Sequence, residues 1–88
     1  MTQDEQKALL REKRGSEAHF DDLLNSLHKA IAAAEAQQDS QTANQLKEVS
    51  EKQVPAYTTA KQNGGTAWPE FEQFVTAWER ALMQADNK

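Results

Sequence analysis

The sequence predicts an all-α chain, a small antiparallel three-helix bundle, on three observations. Apolar residues recur at intervals of three and four along most of it. No stretch alternates apolar with polar residues for long enough to argue for a strand. Capping residues stand where the periodic segments begin and end. The stretch Trp68 to Ala85, WPEFEQFVTAWERALMQA, organises the rest. It holds Trp68, Phe71, Phe74 and Trp78, four of the six aromatics in the chain. At about 100° per residue, Ala67, Trp68, Phe71, Phe74, Val75, Trp78, Ala81, Leu82 and Ala85 share an arc of about 140°. Glu70, Glu72, Gln73, Thr76, Glu79, Arg80 and Gln84 take the other side, so the segment is an amphipathic helix.

The chain opens on Thr2-Gln3-Asp4-Glu5, a capping box with Thr2 at the N-cap. The helix it starts meets a choice at Gly15-Ser16. Serine there is a good N-cap for a new helix, whereas continuation through Gly15 costs about 1 kcal/mol relative to alanine. Periodicity favours continuation. Phe20, Leu24, Leu27, Ile31 and Ala34 step by four and three, and the series runs back to Leu10, although Lys13 and Glu17 interrupt it. The expectation is one long helix from about Gln3 to Gln37, bent or frayed near Gly15. A break there would raise the count to four helices. On either count, residues 1–16 form a projecting or frayed N-terminal arm and 17–88 the core of a single domain.

Within residues 17–37, Phe20, Leu23, Leu24, Leu27, Ile31 and Ala34 share one face. Gln37-Gln38-Asp39-Ser40 is a polar break offering Asp39 and Ser40 as caps for an antiparallel neighbour. The third helix, about Gln41 to Lys61, carries Ala43, Leu46, Val49, Val54, Tyr57 and Ala60. Pro55 removes a backbone donor and disfavours helical geometry at Val54, which predicts a kink or break near Gln53. Asn63-Gly64-Gly65 is a stop, Thr66 a cap, and Pro69 suits the first turn of the last helix.

Core material is short. Leu, Ile, Val and Phe supply 14 of 88 residues, and alanine another 14 that adds little buried area. A chain this lean calls for a second copy or a partner. The formal charge is −4, without a basic half, so nucleic acid has no chain-wide electrostatic footprint. There is no cysteine, which excludes a disulfide framework, a thiolate metal site and a thiol nucleophile. No apolar run reaches membrane-spanning length and no secretory signal opens the chain; the expected compartment is the cytoplasm.

Chemistry is sparse. His19 with Asp22, flanked by Glu17 and Asp21, is a surface pair. His28 lies about 180° around the helix from His19, so the two cannot share an ion within one chain. With no catalytic motif and no nucleophile beside a base, no enzyme activity, cofactor or metal is expected. Lys7, Arg11 and Arg14 follow i, i+4, i+7 and form the one basic face, suited to an anion or an acidic partner. The aromatic stripe is wider than one neighbouring helix covers. A self-associating homodimer that buries its Phe74 edge and the N-terminal arm answers that excess. The partner-binding residues on this reading are Leu9, Leu10, Phe74, Trp78 and Ala81. The function expected is that of a non-enzymatic protein–protein interaction module, an adaptor, inhibitor or regulatory accessory protein of a bacterial or phage type. The alternatives are a nucleic-acid-associated regulator using the basic N-terminal helix, or an acidic charge mimic blocking a nucleic-acid-binding protein.

Overall fold

Gly15 ends the first helix, and four α-helices result. The computed structural model describes residues 2–86, the last two by backbone alone. The elements are α1 (Gln3–Lys13), a short 3-10 turn (Glu17–His19), α2 (Phe20–Ala36), α3 (Ser40–Gln62) and α4 (Trp68–Asp86), with no strand among the described residues. None of these helices is long and apolar enough to cross a membrane. The side chain of Ala85, counted into the apolar arc above, lies outside the described residues.

Each boundary has a local cause. The Thr2 hydroxyl accepts from the Glu5 N–H at 3.1 Å while the Glu5 carboxylate accepts from the Thr2 N–H at 3.0 Å, the reciprocal capping box. The Ser16 hydroxyl accepts from the Ala18 N–H and opens the 3-10 turn, which runs straight into α2. At the end of α2, the Gln38 N–H donates to the Glu35 carbonyl and the Asp39 N–H to the Ala34 carbonyl. That is a Schellman ending, with Gln38 in the left-handed position at φ 59°. Asp39 caps α3 through the Thr42 N–H. Gly64 does for α3 at φ 82° what Gln38 does for α2. The Thr66 hydroxyl accepts from the Trp68 N–H at the start of α4.

Ion pairs and rings set the directions. Glu35, late in α2, meets Lys47, early in α3, at 2.9 Å. Glu17, just before α2, meets Lys61, late in α3, at 3.7 Å. The two helices are therefore antiparallel. Tyr57 near the end of α3 meets Phe71 near the start of α4, which reverses the chain again. All six aromatics join in one line of ring contacts: Trp68 to Phe71, Phe71 to Tyr57, Tyr57 to Phe20, Phe20 to Phe74, and Phe74 to Trp78. The tightest is the Phe20–Tyr57 stack, with centroids 3.8 Å apart. Around them Leu23, Leu27, Leu46, Val75 and Leu82 are buried. Each large apolar side chain so enclosed contributes about 1.5–3 kcal/mol.

Three expectations are corrected. The long helix does not form; residues 3–36 as one rod would span about 50 Å, whereas the molecule measures 40 × 23 × 20 Å. Nor does the N-terminal arm project. Leu10 is fully buried, and the Trp78 indole N–H donates to the Gln6 side-chain oxygen at 2.9 Å inside the protein. Burying one leucine and pairing one indole outweighs the loss of helical continuity at a glycine. Finally, α3 does not break at Gln53. It runs unbroken through Pro55, whose ring is exposed, while Val49 and Tyr57 on either side are buried.

Candidate functional site

The residues expected to bind a partner are mostly core. Leu10, Phe74 and Trp78 have no exposed surface, Ala81 is buried, and Leu9 is half-buried against the same cluster. Phe74 is covered because Phe20 lies over it, centroids 5.2 Å apart, from the first turn of α2. A helical wheel shows how wide a stripe is, and α2 with α1 supplies the neighbours that its width required. The exposed Phe74 edge and the free arm, on which a two-fold pairing rested, do not exist in this fold.

The basic face is largely engaged within the molecule. Arg14 pairs with Glu79 of α4 at 3.3 Å and Lys13 with Asp22 at 3.4 Å. Lys7 is half-buried, and Arg11 is exposed. His19 sits half-buried in the 3-10 turn and His28 is exposed on α2. Among the described residues, no three His, Asp or Glu side chains come together as a metal-holding group.

One hollow elsewhere is lined by Glu17, Asp21, Tyr57 and Lys61. Near Glu17, burial and the Glu17 and Asp21 carboxylates push the Tyr57 phenol above its ordinary pKa. A hollow of about 360 Å³ separates the start of α1 from the end of α2 and the start of α3, with Asp4, Asp39, Ala33 and Thr42 on its walls. Its two acids stand at the positive ends of α1 and α3, where they serve the helices themselves.

The surface that stands apart lies along α3 and α4. A shallow groove of about 180 Å³ has Val49, Ala77 and Ala81 in its floor and Gln45, Gln53 and Gln84 in its walls. A second hollow of about 420 Å³, lined by Pro69, Gln73 and Thr76, continues it, and the two share Gln53, Ala77 and Arg80. The antiparallel course of α3 and α4 aligns Gln45 with Gln84 at one end and Gln53 with Ala77 further along. Small side chains at Ala77 and Ala81 leave the depression between two helices otherwise in close contact. Lys52 is held by Glu48 at 2.6 Å on the rim. Arg80 is exposed and makes no ion pair among the described residues.

Close by on the outer face of α4 is Met83, 59 % exposed, the one large apolar side chain so exposed among the described residues. Arg80 and Met83 are three residues apart and so share a helix face. Sequence reasoning placed Arg80 on the solvated side and passed over Met83. The signal was there in its departure from the apolar arc of α4. Of the residues named beforehand, only Ala81 belongs to this groove. Comparison with known proteins returns no matching family model, no matching curated protein and no matching solved structure.

Proposed function

We propose that this chain is a small non-enzymatic protein–protein interaction module, and that its docking surface is the α3–α4 face. One observation carries the proposal: the exposed Met83 stands one helical turn from Arg80, which lines a groove with an apolar floor and makes no ion pair among the described residues. Methionine is a flexible, polarisable contact residue suited to an adaptable surface. An unpaired arginine beside it supplies a directional site for a carboxylate. The groove's amides provide donors and acceptors without fixed charge. The partner that suits these groups is a protein segment offering an apolar side chain to Met83 and the alanine floor, with an acidic side chain reaching Arg80.

The test is site-specific photo-crosslinking with a reactive group at Gln84, compared with the same group at Arg11 on α1. A partner crosslinked from Gln84 and lost on Arg80→Asp or Met83→Asp supports the α3–α4 face. Capture from the Arg11 position alone, released steeply by salt, would instead favour the anion-binding reading of the Lys7, Arg11, Arg14 face.

A further inference from the structure

Helix α1 is attached differently from the other three. Its buried residues are Gln6 and Leu10, an i, i+4 pair on one face, with Leu9 half-buried beside them. Gln6 takes the Trp78 indole proton, Leu10 one turn further on is fully buried in the same core, and the Arg14–Glu79 ion pair is exposed. The capping box satisfies α1's first donors from within the helix, so its helicity does not depend on its neighbours there. The hinge at Gly15 is unencumbered, with nothing within 4 Å of where a Cβ would stand. The aromatic line from Trp68 to Trp78 contains no residue of α1. Removing α1 therefore leaves α2, α3 and α4 joined and vacates one seat: a leucine-sized space beside an indole N–H that needs an acceptor.

The occupant that fits this seat is already known from the structure, because α1 itself fills it. We propose that the seat is also a docking surface for α1 of a second copy of this chain. It is reached when residues 3–36 straighten into one helix and two copies exchange their first helices. The series Phe20, Leu24, Leu27, Ile31 runs back to Leu10, so the straightened helix is compatible with the sequence apart from Gly15. Exchange rebuilds the core contacts of α1 in trans, and the segment from Arg14 through the 3-10 turn at His19 becomes α-helical. The hinge then sets the balance between closed monomer and exchanged dimer. This surface is separate from the α3–α4 face, and either can fail alone.

The test is sedimentation of the full chain with the double substitution Gly15→Ala, Ser16→Ala. The first change removes the helix penalty of glycine and the second removes the cap of the 3-10 turn. The second favours continuity by about five-fold and the first by at most about three-fold, because alanine also suits the closed turn. With two hinges per dimer, the association constant should rise about 25-fold to 200-fold. The expected result is a helical dimer at concentrations where the natural chain is monomeric. Adding Leu10→Ala should lower the melting temperature of dimer and monomer alike without dissociating the dimer, because the same contact is lost from both, and Arg80→Asp should leave the dimer intact. A folded monomer at all concentrations overturns the proposal, and so does a dimer that Arg80→Asp dissociates or whose melting temperature Leu10→Ala leaves unchanged. Should the double variant fail to fold, hydrogen exchange on the natural chain decides. The α1 amides should open together, ahead of those of α2 to α4, and equal protection across all four helices overturns it.

Discussion

Gly15 and Pro55 are the two points where a helix of this chain is weakest, and they come out oppositely. At Gly15 the backbone could have stayed helical and does not; at Pro55 it lacks a hydrogen bond and stays helical. Local propensity alone ranks them the other way, since proline costs a helix interior more than glycine does. What differs is the packing on either side. Around Pro55, Val49 and Tyr57 are both buried along the same course, so a break would pull one of them from its seat. Around Gly15, Phe20 is seated on α3 and α4, and Leu10 can reach its seat beside Trp78 only if the chain turns. Continuity follows the burial it serves.

The largest test of this contrast is Leu10→Ala. A buried leucine truncated in place costs about 2–5 kcal/mol, whereas a leucine on a projecting arm would cost almost nothing. Urea unfolding measures the difference, and a loss below about 0.5 kcal/mol would remove the reason given for the turn. Next comes Trp78→Phe, which keeps the ring's bulk but leaves the Gln6 oxygen without the indole donor. An expected loss of about 1–3 kcal/mol reflects a buried acceptor without that donor. If the variant matched the natural chain in the same titration, the bond would be incidental to α1 docking.

Pro55→Ala should move stability the other way, by about 1 kcal/mol upward. It restores a donor in a helix that is already continuous, and this exceeds the added freedom of the unfolded chain. A thermal midpoint higher by roughly 4–8 °C is the corresponding shift for a domain of this size. A clear fall would mean that the proline ring itself is needed. The smallest effect is that of Gly15→Ala alone, measured at dilutions where the chain is monomeric. Gly15 has no left-handed φ and open space at its Cβ position, so alanine should stabilise by about 0.4–1 kcal/mol. Destabilisation in that regime would reveal a strain at the turn that its geometry does not show.

Much of the helical layout was legible beforehand because it depends on neighbours in sequence. The Thr2–Glu5 capping box, the Asp39 cap, the Gly64 stop and Thr66 at the head of α4 all act within a few residues of where they stand. The amphipathic face of α4 was likewise readable, since Phe71, Phe74, Val75, Trp78, Ala81 and Leu82 are buried as a spacing of about 100° requires. Gln38 in a left-handed conformation was not, because glutamine carries no signal for it. Nor was the candidate docking face. It depends on which small residues of α4 lie against α3, and on Arg80 making no ion pair among the described residues.

By itself, then, the sequence determined an all-helical chain, the limits of α3 and α4 to within a residue or two, and which side of α4 turns inward. The tertiary structure decided where α1 goes, whether Gly15 and Pro55 interrupt their helices, and that the aromatic stripe is spent on this molecule's own core. Caps and periodicity act over one or two turns and can be read along the chain. The seat for Leu10 beside Trp78, and the cover that Phe20 provides for Phe74, join residues 68 and 54 positions apart. They exist only once α2, α3 and α4 have packed. Burial at that separation outweighs proline's local penalty of about 3 kcal/mol at Pro55, and at Gly15 it acts with glycine's penalty of about 1 kcal/mol against the apolar periodicity, which is why local reading failed at those two points and held elsewhere.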